Sequence, residues 1–340
     1  MNLTTDGWIP VVTDQQGIFL ASLKDIYKNA LSYRDLALNP PQRISVMRLL
    51  ICITQAALDG PDDEKDWLSC ESRIIPESLK YLEKHSDKFD LYGDKPFLQV
   101  AKCDLISNAV CDKLNFGLAA GDNQTLFDHG ATTQGRIRDD AWLALNILTY
   151  HCFCPSGLIG ETKWANSTTG KSSSHAPCIQ GNPLHTILKG GTILETIHLN
   201  LLTKKTVIAP NCKWGFPVWE NMPSSQNDSR DTYLGRLVPL SRLIKVETQQ
   251  IITLANGLKY SRLPASRESM MTVCLDENEY KYLSIAPSKH PWRDIGAILV
   301  LKSTNELSAS GPLSLMHIKN IKDKSFDIWC GGLAAAGNNK

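Results

Sequence analysis

PPQRISVMRLLICITQAALDG, residues 40–60, is the most strongly patterned run in the chain and sets the architecture around it. Ile44, Met47, Ile51, Thr54 and Leu58 recur at the 3.6-residue period of a helical face. Pro40 and Pro41 suit a first turn, whose amide donors have no intrahelical partner, and Gly60-Pro61 stops the run. The pattern predicts a core helix. Upstream, Trp8 to Val12 and Gly17 to Leu20 read as two short strands around a polar turn. Ser22 then caps a short helix, with Asp25 three residues on. Downstream, two helical pieces are expected on either side of Pro76, and Lys95 to Val100 reads as an extended strand.

Residues 121–137 are rich in Gly, Asn, Thr, Gln and Asp without an apolar period, which predicts a long loop of the kind that carries function. Asp139-Asp140 next place negative charge at the start of a helix running through Cys152, and Pro155 stops it. Residues 156–183 form a second irregular, mobile stretch containing Gly157, Gly160, Lys163 and the low-complexity run 166–174. Gly190-Gly191 precede Thr192 and Glu195 at capping-box spacing, and Ile193, Leu194, Ile197 and Leu201 give one apolar face. Beyond residue 203 the pattern turns strand-like over Leu234 to Val246 and Gln250 to Leu254, with a turn at Asn256-Gly257, and over Met271 to Leu275 paired with Tyr280 to Ile285. The class is therefore α+β: a large mixed globular domain over 1–340 with long functional loops, helix-rich over 1–202 and strand-rich over 203–340.

Charge is balanced, with 36 Lys and Arg against 35 Asp and Glu. That excludes gripping nucleic acid through bulk positive potential, so any phosphate contact has to come from a local patch. Candidate patches are Lys204-Lys205 with Lys213, then Arg236, Arg242 and Lys245, then Lys319, Lys322 and Lys324. Ten cysteines are scattered without a C-x-x-C pair and read as reduced and mostly buried. No bilayer-spanning run or signal-peptide pattern is present, and a cytoplasmic protein without a membrane partner is expected.

Catalytic motifs fail in turn. Gly170-Lys171-Ser172 resembles the end of a phosphate loop, but Ala165 stands where the first glycine is required. His151-Cys152-x-Cys154 lies on a helix end and has no second ligand pair at metal spacing. No H-E-x-x-H or G-x-S-x-G occurs, and the acidic run Asp62-Asp63-Glu64 sits at a helix start that explains it. The chain reads as a binding protein, not an enzyme, with no metal and no cofactor.

The opening Asn2-Leu3-Thr4-Thr5-Asp6-Gly7-Trp8-Ile9-Pro10-Val11 resembles the amino terminus of the CasA family, the large subunit of the type I-E CRISPR surveillance complex Cascade. Further strings keep that family's order: Arg48-Leu49-Leu50, Phe89-Asp90-Leu91, Pro96-Phe97-Leu98-Gln99, Pro239-Leu240-Ser241-Arg242, Pro291-Trp292-Arg293-Asp294-Ile295 and Trp329-Cys330-Gly331-Gly332-Leu333. The resemblance implies a non-catalytic subunit that recognises the protospacer-adjacent motif (PAM) from the minor groove and promotes strand separation and R-loop formation. Its implied partners are guide crRNA, double-stranded target DNA, the other Cascade subunits, and a helicase-nuclease or a nuclease fused to another subunit.

Carried over residue by residue, Phe127 and His129 match the loop that docks on guide RNA and neighbouring subunits. Gly157 and Gly160 match the glycine loop at the groove, with Lys163 or Lys213 as its lysine. Asn338 and Asn339 match the wedge that starts strand separation. A backbone without Cβ can approach a narrow groove closely, which gives the glycines a physical reason. Two departures stand out. The cysteine-rich insert of some relatives is missing, since Cys212 stands alone there, and the family's C-terminal four-helix bundle is expected to be absent. The alternative reading is a structural adaptor that completes the complex, or docks a nuclease or transposition partner, without reading DNA.

Overall fold

A computed structural model describes residues 1–15, 17–100, 103–104, 108–118, 120, 128, 135–208, 212–261, 268–276, 279–285, 291–299, 311–320 and 325–335. The chain opens on β1 (Ile9–Thr13) and β2 (Ile18–Ala21), an antiparallel pair matching the expected strands. In α1 (Leu23–Lys28), Ser22 Oγ accepts from Asp25 N at 3.1 Å while Asp25 Oδ2 accepts from Ser22 N at 3.2 Å, the reciprocal box expected there. With β3 (Tyr33–Leu36) the sheet order is β2-β1-β3, so Pro10 stands in the central strand. It is tolerated because its carbonyl faces Ala37, one residue past the end of β3, where no ladder donor is needed.

Helix α2 (Pro40–Leu58) has Asn39 as its N-cap, accepting from Gln42 N at 3.1 Å, and ends at Asp59 in the left-handed region. Every residue from Ile44 to Gln55 is buried, so the helix is enclosed on all sides instead of showing one face to the core. After α3 (Glu64–Ser69), α4 (Glu71–Lys84) runs straight through Pro76, correcting the expectation of two separate pieces. Pro76 and Ser72, whose carbonyl loses its i+4 donor, are both exposed, so water replaces the missing bond. Residues 95–100 are also not a strand. They form a buried turn in which Gln99 N donates to Pro96 O at 3.1 Å, and the Gln99 side chain donates to Leu91 O at 2.8 Å. Beyond β4 (Asn108–Val110), α5 (Asp140–Phe153) starts at the N-cap Asp139 as expected and packs on α2.

The stretch 156–183, expected to be irregular, holds two ladders: β5 (Gly157–Leu158) and, nested within, β6 (Lys163–Trp164) with β7 (Ser167–Thr168), closed by β8 (Ser172–Ser173) against β5. β9 (His185–Lys189), α6 (Ile193–Leu199) and α7 (Lys204–Ile208) follow. Leu234 lies in a helix, α8 (Tyr233–Leu237), where a strand was expected. Thr232 Oγ1 caps it by accepting from Gly235 N at 3.2 Å, and the five helical residues, YLGRL, include no β-branched side chain. β10 (Arg242–Val246) and β11 (Ile251–Asn256) join β4 in the order β10-β11-β4. β12 (Val273–Asp276) pairs β13 (Glu279–Tyr282), and β14 (Asp327–Gly331) pairs back to β9.

This is an α+β fold. Residues from Leu3 to Leu313, on both sides of position 203, enter one apolar cluster centred on α2 and α5, and Leu184, Leu188, Leu199, Ile298 and Leu315 form a smaller second one. All ten cysteines are unbridged and seven are buried. Among the described residues no helix is long and apolar enough to cross a membrane.

Candidate nucleic-acid interface

The double hairpin lies between α5 and β9. Its inner side is closed by Trp164, Thr162 and Thr169, all buried, with Thr169 N donating to Thr162 O at 2.9 Å. Its outer side carries Gly157, Lys163 and Leu158, and Leu158 is 87% exposed. Nothing lies within 4 Å of where a Gly157 Cβ would stand, so the space beside it is open, although its positive φ of 158° is one that other residues rarely adopt. Gly160 is half-buried and Lys163 makes no ion pair among the described residues. The structure therefore puts Gly157, Gly160 and Lys163 on one element.

What holds that element lies far away in sequence. Arg242 and Asn256 are direct partners across β10 and β11, and both are buried. Arg242 donates to Pro155 O and, at 3.1 Å, to Ser174 O, gripping both ends of the hairpin. Asn256 Nδ2 donates to Ser172 O at 2.8 Å. Arg242 makes no ion pair among the described residues, so its charge is met by carbonyl oxygens, including Ser241 O at 2.7 Å. Burial, then the Arg242 charge, lowers the pKa of the neighbouring His175, whose Nε2 lies 3.3 Å from Ser156 Oγ.

Arg242 thus leaves the list of phosphate-binding candidates, and so does Arg236, which is buried against Glu268 and Asp231. Lys204 pairs with Asp59 and Asp62, and Lys245 with Glu247. Lys213 sits on a segment tied to α8 by Tyr233 N to Lys213 O at 2.9 Å. Lys322, Lys324 and the Lys319 side chain lie outside the described residues, as do Phe127 and His129. Between the latter two, Asp128 pairs with Arg136 at 2.6 Å.

Asn338 and Asn339 also lie outside the described residues. The segment leading to them is fixed as far as Ala335, whose N–H and carbonyl both bond the Asn182 side chain at 3.1 Å. Gly332 passes so close to Pro183 O that a Cβ would lie 2.9 Å from it. Residues 175–183 therefore link the base of the double hairpin to the 332–335 segment. Among the described residues no group of three or more His, Cys, Asp and Glu is arranged to hold a metal ion. His151 instead donates Nε2–H to Leu98 O at 2.8 Å, and burial lowers its pKa to about 4.

The family model for CRISPR-associated protein Cse1 matches residues 2–340. The chain belongs to the Cse1 family. Within it, a CasA/Cse1 protein of Thermus thermophilus is 27% identical over 231 residues, covering 67% of this chain and 43% of its own length. The Cse1 fold is shared with the crystal structure of a Thermus thermophilus CasA at a TM-score of 0.74 and 20% identity, over 94% of this chain and 64% of that one. It is likewise shared with Thermobifida fusca Cse1 at 0.71 and 21%, over 89% and 62%. A chain of a structure described as a CRISPR RNA-guided surveillance complex aligns at 0.80 and 17% identity, over 99% of this chain and 73% of that one. This chain thus spans less than two thirds of the length of the first relatives named.

Proposed function

We propose that this chain is a non-catalytic DNA-reading subunit of an RNA-guided surveillance complex, recognising the PAM in duplex DNA and promoting R-loop formation. The observation that carries the reading is the double hairpin: it presents Gly157, Leu158 and Lys163 outward, with Gly160 half-buried between them, on a base clamped by the buried Arg242 and Asn256. A rigid, narrow, nearly uncharged projection suits the minor groove, where reading depends on close approach more than on phosphate neutralisation. Membership of the Cse1 family, and the shared fold with a chain of a surveillance complex, support it. On this reading guide crRNA and other Cascade subunits are partners through the region of Phe127 and His129, Asn338 and Asn339 act at the strand-separation step, and the assembled complex positions DNA for an effector nuclease.

The deciding experiment uses the chain assembled with guide RNA and its companion subunits. Gly160→Val and Lys163→Ala are expected to weaken binding to motif-bearing duplex by about tenfold, one or two lost groove contacts, with assembly intact. Unchanged duplex binding in both variants would replace this reading with that of an adaptor.

A further inference from the structure

A cavity of about 490 Å³ opens elsewhere on the molecule, between the C-terminal end of α2, α4 and residues 214–220. Its size falls in the range of small-ligand pockets, roughly 300–1,000 Å³. Three carboxylates line it, and two are already neutralised: Glu77 by Lys80 at 2.8 Å, and Asp59 by Lys204 at 3.0 Å. Glu220 has no cation within ion-pair distance among the described residues.

Glu220 is held in place from behind. Tyr81 donates its hydroxyl to Glu220 Oε1 at 2.6 Å, and Trp219 Nε1 donates to that hydroxyl at 2.9 Å. The single Tyr81 proton is thereby spent on Glu220, and the second carboxylate oxygen is left for an incoming donor. The cavity is also lined by an aromatic corner, Trp214-Gly215-Phe216, with Lys204 Nζ 5.9 Å from the Trp214 ring centre and Arg230 Cζ 5.3 Å from that of Phe216, so one face of each ring already carries a cation. Gly215 has φ +72° and its Cβ would lie 2.0 Å from Thr232 Oγ1, so only glycine fits between the rings. Leu234 N donates to Trp214 O at 3.0 Å and fixes the corner to α8.

We infer that this cavity binds the guanidinium group of an arginine-like ligand, seated on Glu220 beside Trp214 and Phe216. A planar fork of N–H donors matches a carboxylate whose position is fixed, and its flat, weakly hydrated face suits aromatic walls. An ammonium ion satisfies the carboxylate without using the walls. The exposed Lys84 at the mouth opposes a second cation but stands in solvent, where its field is screened.

The test titrates the full chain calorimetrically with N-acetyl-arginine methylamide, its lysine counterpart and guanosine monophosphate. The arginine compound is expected to bind saturably with Kd on the order of a millimolar, as befits a ligand of its size, and the lysine compound about fivefold more weakly. Glu220→Gln is expected to weaken the arginine compound about tenfold, and Tyr81→Phe, which frees the carboxylate, by a smaller factor. Phe216→Ala, on the exposed rim, provides a second loss should Glu220→Gln alter the fold. Equal binding of the arginine and lysine compounds, full affinity in Glu220→Gln and Phe216→Ala, tighter binding of the nucleotide, or no saturable binding of the arginine compound would each overturn the assignment.

Discussion

Arg48 carries its charge into the middle of α2 and is completely buried. It survives there because each of its three nitrogens has an acceptor: Nη1 on Glu268 at 2.7 Å, Nε on Leu237 O at 2.8 Å and Nη2 on Arg236 O. Glu268 gives its other oxygen to Arg236 Nε at 3.0 Å, and Arg236 reaches Asp231 at 2.6 Å, so two cations meet two anions away from water. Burial alone would raise the Glu268 carboxyl, but the two guanidiniums outweigh it and hold its pKa at about 2. Glu268→Gln leaves two buried guanidiniums short of a counter-charge and is expected to cost about 3–5 kcal/mol in denaturant unfolding. The pH dependence follows the same logic. A depressed carboxyl stabilises fully above its unfolded pKa, so this contribution is lost as pH falls from about 4.5 towards 2. His151, neutral and buried with a pKa of about 4, acts in a higher window. Between pH 6.5 and 4 the unfolded chain takes up a proton that the folded chain refuses, so stability falls by about 3 kcal/mol across that interval. His151→Gln keeps a donor for Leu98 O and cannot titrate. Its melting curves are expected to flatten between pH 6.5 and 4 and to keep the Glu268 loss below.

At the scale of elements, the double hairpin owes its order to side chains that local pattern does not contain. Arg242 meets it at separations of 87 and 68 residues, and Asn256 at 84. Arg242→Met strips Pro155 O and Ser174 O of a donor, and Asn256→Ala does the same to Ser172 O. Each is expected to cost about 1–3 kcal/mol and to raise amide hydrogen exchange in residues 157–173 about tenfold more than in α2 or α5. Equal acceleration everywhere would show that the two residues support the core at large. This dependence on distant partners also marks what could be read from sequence. The helices α2 and α5 and the caps Ser22, Asp139 and Thr192 were legible because period and cap both act within a few residues. Pro76 misled because its cost depends on whether its face is exposed, and 95–100 misled because Gln99 folds back on Leu91, a bond no alternation reveals. For the proposed site, the resemblance offered Gly157 and Gly160 with Lys163 or Lys213 as the lysine, and the structure sets Gly157, Gly160 and Lys163 on one double hairpin. The resemblance gave Arg242 as part of a matching string, while charge counting gave it as a surface cation, because its burial exists only once β10 lies under the hairpin.

For the molecule as a whole, near-neutral charge goes with the pairing or burial of many, though not all, of the cations that the structure describes. Arg48, Arg236 and Arg242 are buried, and Arg43, Lys189, Arg138, Lys204 and Arg230 each bond a carboxylate. Each cation held this way releases fewer counterions from DNA, and affinity for random duplex scales with the number left over. The isolated chain is therefore expected to bind random-sequence duplex no more tightly than about 10⁻⁴ M at physiological salt. Specific binding by the assembled complex then divides between phosphate contacts and the uncharged hairpin. If Lys163 meets a phosphate at the groove edge, Lys163→Ala lowers the slope of log affinity against log salt by about one, equally on every sequence. If it meets a base edge, the slope stays and discrimination between motifs narrows by about 1–3 kcal/mol. Since the hairpin presents Lys163 near two glycines and an exposed leucine, and its other cation, Lys171, pairs with Glu161 at 4.0 Å, the base-edge outcome is the one expected. A salt titration of the variant on matched and mismatched duplexes decides between them, and a slope reduced by a full unit on both would move Lys163 to the phosphate backbone.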